Sequence, residues 1–130
     1  AAYEAALAHA KERVAFGRPI QEHQAIEFKL SRMLVELESA RLHVEAACLG
    51  IEAGNGVSLE ASMAKLVASE AAVSVCREAM QIFAGQGYMM ESPVQRYFRD
   101  AQLYPISEGT TEIQLRTIAR VGGISGSRPR

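Results

Sequence analysis

The amino-acid sequence predicts an all-α fold, an antiparallel helical bundle of two long and about three shorter helices. Three observations carry that expectation. Apolar residues between Ile26 and Ile51 recur at alternating spacings of four and three, the repeat of a seam between long packed helices. Breaks containing glycine or proline divide the chain into segments of helical length. No segment reads as a strand with period-two alternation. The chain has 130 residues, 48 % of them apolar, which suits one domain with its own core and argues against disorder.

Residues 1 to about 14 are alanine-rich with scattered charge, which favours helix. Ala1-Ala2-Tyr3-Glu4 has no Met and reads as mid-helix, the expectation for a piece of a longer protein. Gly17 and Pro19 end this helix. A second runs from about Glu22 to Ala53, with Ile26, Leu30, Met33, Leu37, Ala40, Val44, Ala47 and Ile51 on its seam. Gly54-Asn55-Gly56 stops it, and Ser58 is the expected N-cap of a third helix reaching about Ala84. The short loop makes these two long helices antiparallel neighbours. The third helix carries Leu59, Met63, Leu66, Val73, Cys76, Met80 and Phe83 on one broad face, among many alanines that permit close helix approach. Gly85-Gln86-Gly87-Tyr88 breaks it. Ser92-Pro93 then opens a short helix to about Leu103, with Pro at the first helical position. The last helix ends near Val121, which sets the domain at 1–122 and leaves 123–130 as a flexible tail.

Charge and composition exclude several functions. Fourteen Lys and Arg against fifteen Asp and Glu give no basic excess for nucleic acid. No apolar run approaches the roughly 18 residues of a membrane span, and no signal peptide is visible. Cys48 and Cys76 sit in apolar helical patterns and read as two buried free thiols of a reducing compartment. No Glu-x-x-His pair, CxxC or HExxH provides metal ligands, and no GxSxG elbow is present. Gly85-Gln86-Gly87 lacks the third glycine and the preceding strand of a dinucleotide fingerprint.

Tyr104-Pro105-Ile106-Ser107-Glu108-Gly109-Thr110-Thr111-Glu112-Ile113-Gln114 places one carboxylate on a glycine-containing turn at a helix start. Thr111 and Gln114 have capping-box spacing. By itself the stretch serves two readings: Glu108 as a favourable helix-start charge, or as a catalytic carboxylate. Two other glycine-containing breaks, 13–24 and 81–88, also carry polar side chains suited to a ligand: an Arg for phosphate, an aromatic for a ring, amides for base edges.

Together the three breaks resemble the acyl-CoA dehydrogenase family. Glu12-Arg13-Val14-Ala15-Phe16-Gly17-Arg18-Pro19-Ile20 with His23-Gln24 resembles its ERxxFGxxI…HQ segment. Gln81-Ile82-Phe83-Ala84-Gly85-Gln86-Gly87-Tyr88 is similar to QIFGGxGY. Arg99-Asp100-Ala101 followed by Ile106-Ser107-Glu108-Gly109-Thr110-Thr111-Glu112-Ile113-Gln114 is similar to RDA…IYEGTxxIQ. The likeness covers nearly the whole chain and corresponds to the family's C-terminal helical domain alone.

The resemblance implies α,β-desaturation of an acyl-CoA thioester with FAD as cofactor. Glu108 matches the base that takes the α proton, and its backbone N–H, beside Gly109, matches a donor to the thioester carbonyl. Arg13 matches the pyrophosphate-binding arginine; Phe16, Ile20, His23 and Gln24 match residues near the cofactor; Gln81 and Gly85 match the adenine-side contact. In the family these serve the neighbouring subunit's FAD, whereas Thr110 and Glu112 match contacts to the same subunit's FAD. The implied assembly is a homodimer or homotetramer. The implied electron acceptor is electron-transfer flavoprotein, and the implied compartment is bacterial cytoplasm or mitochondrial matrix. Four positions depart from the pattern: Ala15 for a hydroxyl residue, Ala84 for Gly, Ser107 for Tyr, and Glu112 for Gln. The alternatives are an acyl-CoA oxidase or related flavoprotein of the same fold, and a non-catalytic helical assembly module. Without the resemblance, Arg13 is a helix-end charge, His23 a supporting residue, and Met89 and Met90 are packing.

Overall fold

A computed structural model describes residues 1–125 and shows the helical bundle. Helix α1 spans Ala2–Glu12, α2 Gln24–Glu52, α3 Ser58–Phe83, α4 Gly85–Tyr88, α5 Pro93–Ala101 and α6 Thr111–Val121. Between α1 and α2 lie two short strands, β1 (Val14–Ala15) and β2 (Arg18–Pro19), and one 3-10 turn (Ile20–Glu22). Of the expected tail, residues 123–125 follow α6, with the Ile124 and Ser125 N–H groups both donating to the Ala119 carbonyl. Residues 126–130 lie outside the described residues.

Helix α3 is the spine. α1, α2, α4, α5 and α6 all pack on it, and they can because its innermost side chains are small. Ser62, Ala64, Ser69, Ala71, Val75, Cys76, Ala79 and Ile82 are buried. The core gathers Ala2, Ala6 and Ala10 of α1, Leu30 and Met33 of α2, Val94 and Ala101 of α5, and the C-terminal half of α3. Met33 and Val94 are its largest fully enclosed side chains. A partly buried Lys29–Glu78 ion pair ties α2 to α3, and Arg41 bridges Glu38 and Glu45 along the surface of α2.

Several expectations need correction. The apparent absence of strands overlooked an antiparallel pair, Val14 with Pro19 and Ala15 with Arg18. Two rungs are too short to show alternation. The turn is a two-residue one with positive φ at Phe16 (53°) and Gly17 (79°), the left-handed geometry that tight hairpins favour. Ser58 is the first residue of α3 rather than its cap; Val57 holds the cap position without a side-chain bond. Ser92 does cap α5, accepting from the Val94 N–H at 3.4 Å, with Pro93 at the first position. The 85–88 break is itself one helical turn, pressed so close to α3 that a Cβ on Gly87 would lie 2.8 Å from Phe83 Cβ and 2.9 Å from the Met80 carbonyl.

The expected seams are also only partly enclosed. Of the α2 positions, Leu30, Met33 and Ala47 are buried, while Val44 and Ile51 face outward. On α3 the broad apolar face yields only Cys76 to the buried set, while Val73, Met80 and Phe83 pack against the core partly buried. Cys48 is exposed and Cys76 alone is buried. Among the described residues no helix is long and apolar enough to cross a membrane.

Ala84, where α3 stops, has φ 52° and ψ −140°, next to a region that only glycine occupies without strain. Replacing it by glycine relieves roughly 1–3 kcal/mol of strain and gives back about 0.4–1 kcal/mol through a looser unfolded chain. Ala84→Gly is therefore expected to raise the unfolding free energy by about 1 kcal/mol, read as a higher midpoint in thermal or denaturant unfolding.

Candidate functional site

Each of the three glycine-containing breaks places a non-glycine residue at positive φ directly before a glycine: Phe16 at 53°, Ala84 at 52° and Glu108 at 53°. Left-handed backbone at a residue bearing Cβ costs about 1–2 kcal/mol, so surrounding structure has to hold all three.

The first two breaks converge. His9, Arg13, Ala15, Ile20, Ile82, Phe83, Ala84, Gly85 and Gln86 line a cavity of about 410 Å³. Arg13 caps the C-terminal end of α1 and is exposed. The hairpin is locked beneath it by His23, whose Nε2 donates to the Ala15 carbonyl at 3.0 Å. Because a carbonyl can only accept, the proton sits on Nε2, and Nδ1 is free to accept from Arg18 Nη2 at 3.3 Å. Phe16 is held edge-on to the His23 ring, centroids 6.0 Å apart, yet is 96 % exposed. His9 stacks on Phe83 at 4.1 Å and 14°. Burial first, and then the Arg13 guanidinium, hold the His9 imidazole below its usual value, with Glu12 opposing.

The third break lies elsewhere on α3. Lys65, Ala68, Ser69, Ala72, Tyr104, Ser107 and Glu108 enclose a largely apolar pocket of about 330 Å³. Glu108 is itself exposed, a carboxylate at the pocket's rim. The chain reaches it through successive turns after α5, and the Thr111 N–H donates to the Pro105 carbonyl at 3.0 Å, clasping the two ends of the bend. Gly109 has φ 90°, and a Cβ there would come within 2.7 Å of Gln114 Nε2. The expected capping box is replaced by another arrangement. Thr110 is the N-cap of α6 and makes no side-chain cap bond. Gln114 reaches back to the Glu108 carbonyl at 3.2 Å and the Gly109 carbonyl at 3.3 Å.

The structure thus brings Arg13, Ile20 and Gly85 around one cavity, with Phe16 in the adjoining hairpin and His23, just before α2, holding it. Gln24, the first residue of α2, and Gln81, in the last turn of α3, are exposed and outside the lining of that cavity. Glu108 and Gly109 stand apart from this group. Thr110 and Glu112 begin α6, where the Thr110 hydroxyl and the backbone N–H of Glu112 hold the Glu112 carboxyl below the usual range. The sequence reading missed His9, Lys65 and Gln86. His9 was findable, since it stands four residues before Arg13 on the same helix face. Lys65 was a single cation in a run of alanines and serines. No group of three metal-ligating side chains occurs among the described residues.

Comparison with known proteins fits this architecture. A family model described as acyl-CoA dehydrogenase, C-terminal domain, matches residues 1–123. The probable acyl-CoA dehydrogenase YngJ of Bacillus subtilis is 49 % identical over 92 % of this chain and 32 % of its own length. The structure of butyryl-CoA dehydrogenase from Megasphaera elsdenii superimposes with a TM-score of 0.91 at 42 % identity, covering 92 % of this chain and 31 % of that one. An FAD complex of PigA gives 0.93 at 32 % identity, covering 96 % and 33 %. The chain belongs to the acyl-CoA dehydrogenase family, as its C-terminal helical domain, and spans about a third of the length of these relatives.

The His9 environment makes a stability prediction. A folded-state value below the unfolded one means that the unfolded chain takes up the proton first, so the stability owed to the neutral ring is present above the usual histidine value and is lost as pH falls below it. His9→Phe, which keeps a ring against Phe83, is expected to flatten the decline in unfolding midpoint between about pH 7 and pH 5. Denaturant titrations of both proteins across that range check it.

Proposed function

We propose that this chain supplies the base and part of the FAD-binding surface of an FAD-dependent acyl-CoA dehydrogenase, and that Glu108 removes the α proton of an acyl-CoA thioester. The observation that carries this reading is the Glu108 bend: a carboxylate at positive φ, pinned by side chains from α6 and α3, at the rim of an apolar pocket. A base so placed meets a carbon acid with its own backbone already ordered, which is what proton abstraction from carbon demands. The Cα–H bond breaks, the proton passes to a Glu108 carboxylate oxygen, and the thioester carbonyl takes up charge that, in this reading, the backbone N–H of Glu108 stabilises.

The Arg13 cavity suits a dinucleotide. It offers a guanidinium fork for a pyrophosphate, an amide at Gln86, and an open backbone face at Gly85, where a Cβ would meet nothing within 4 Å. Arg13, Phe16, Ile20, His23, Gln24, Gln81 and Gly85 are the residues we assign to one FAD, and Thr110 and Glu112 to another. When bound, FAD supplies the two-electron acceptor. The two pockets meet α3 at 65–72 and at 82–83, at least ten residues apart, or about 15 Å or more along the helix. That separation supports a site shared between protomers of a homodimer or homotetramer. Electron-transfer flavoprotein as acceptor, a bacterial cytoplasmic or mitochondrial matrix location, and a domain at 1–122 complete the reading.

In the intact enzyme, Glu108→Gln keeps the side-chain shape but cannot take a proton. Flavin content is expected to stay at the wild-type level while turnover falls by about 10²–10⁴-fold; near-normal turnover would overturn the assignment. Arg13→Ala is expected to lower the ratio of flavin to protein in the purified enzyme, and full retention of flavin would remove Arg13 from the cofactor site.

A further inference from the structure

We propose that Lys65 is a positioning residue for the catalytic bend: its ammonium, donating to the Gly109 carbonyl, fixes the direction in which Glu108 presents its carboxylate. The proposal rests on the assignment of Glu108 as base. Lys65 Nζ lies 2.6 Å from the Gly109 oxygen, a short charge-assisted bond between the middle of α3 and a bend 44 residues later in the chain. The same side chain lines the pocket at whose rim Glu108 stands.

The bend needs such a tether. Glu108 and Gly109 both have positive φ, 53° and 90°, and both precede the first turn of α6. Their carbonyls are taken by side chains: Gln114 Nε2 divides itself between them at 3.2 and 3.3 Å, and Lys65 adds the shorter bond to Gly109. Gln114 reaches the bend from α6, whereas Lys65 ties it directly to α3, the spine of the domain.

Two ordinary explanations for a cation at this position fail. Among the described residues Lys65 has no carboxylate within 4.0 Å, all the ion pairs found being made by other groups. It also stands nearer the N-terminal than the C-terminal end of α3, where the helix dipole gives a positive charge no advantage. A lysine set among Ala64, Ala68 and Ala72, half-buried and pointed at a carbonyl, fits the fixing of that carbonyl. Displacing a reacting group by about 1 Å costs on the order of 10²-fold in rate, which sets the size of the effect.

The test uses the intact flavin-loaded enzyme, with rates expressed per bound flavin. Lys65→Met keeps the length and helix propensity of the side chain but donates nothing. It is expected to lower kcat by about 10- to 100-fold, with KM, flavin content and unfolding midpoint close to wild type. Lys65→Arg, which restores a donor, is expected to recover most of the loss. Lys65→Gln, with a donor on a shorter arm, gives the same kcat-selective loss in milder form and serves if Lys65→Met does not fold. Unchanged kcat in Lys65→Met or Lys65→Gln overturns the proposal. So does a kcat loss that Arg does not rescue, or one accompanied by an equal rise in KM. Glu108→Gln is measured alongside. If that variant turns over normally, the base assignment has failed; if it is inactive while Lys65→Met is normal, only the positioning role has failed.

Discussion

The narrowness of α3 is the constraint on which the domain depends. A helix can receive five neighbours only if its inward side chains leave their backbones room, and here the enclosed positions are Ser62, Ala64, Ser69, Ala71, Val75, Cys76, Ala79 and Ile82. The largest fully enclosed side chains, Met33 and Val94, come from the elements around it. Closeness of that kind leaves little slack, because interiors pack at crystal-like density and an added methylene must displace something. The same helix presents Lys65, Ala68 and Ala72 to one pocket and Ile82 and Phe83 to the other. A single rigid element therefore sets the distance between the Glu108 bend and the Arg13 cavity.

Strain is concentrated where that spine is served by irregular backbone. Phe16, Ala84 and Glu108 occupy the left-handed region, and each is held in a different way. The Phe16 turn is braced by the His23 contacts to Ala15 and Arg18. The Ala84 turn is held by the close seating of α4 against α3. The Glu108 bend is held by Lys65, Gln114 and the Pro105 clasp. Outliers of this sort persist only when their surroundings over-determine them; Ala84 lines the Arg13 cavity, Phe16 stands in the hairpin beside it, and Glu108 lines the other pocket.

Much of this was legible in the sequence because helices announce themselves through punctuation. Ser92-Pro93 marked α5, Gly54-Asn55-Gly56 marked the turn between the long helices, and the family motifs named the three breaks. What stayed hidden has a common physical cause. A two-rung hairpin is shorter than any period that could reveal it. Side-chain size does not say which face of α3 is enclosed: the broad apolar face leaves Met63 exposed, while Ser62, Ala64, Ser69, Ala71 and Ala79 are buried. Val44 and Ile51 belong to the expected seam yet stay exposed, as does Cys48, because apolar spacing alone does not report how much of a face is covered. The bonds from Lys65 and Gln114 to the Glu108 bend depend on backbone direction at two positive-φ residues, which spacing alone does not encode. In place of the capping box expected at Thr111, the amide of Gln114 serves carbonyls instead of N–H groups.

The hairpin at 14–19 has a consequence of its own. Two rungs of ladder, one bond from Ile20 to the Arg13 carbonyl and the His23 contact are nearly all that ties it down, and an isolated pair of strands is marginal in water. Amide hydrogens on the buried face of α3 are released to solvent only when the whole domain opens, whereas those of the hairpin answer to a far smaller, local fluctuation. A ligand that packed against Phe16 would quiet that fluctuation on arrival. Part of its binding enthalpy would then be spent as ordering entropy, and a second guest touching the same hairpin would find that cost already met.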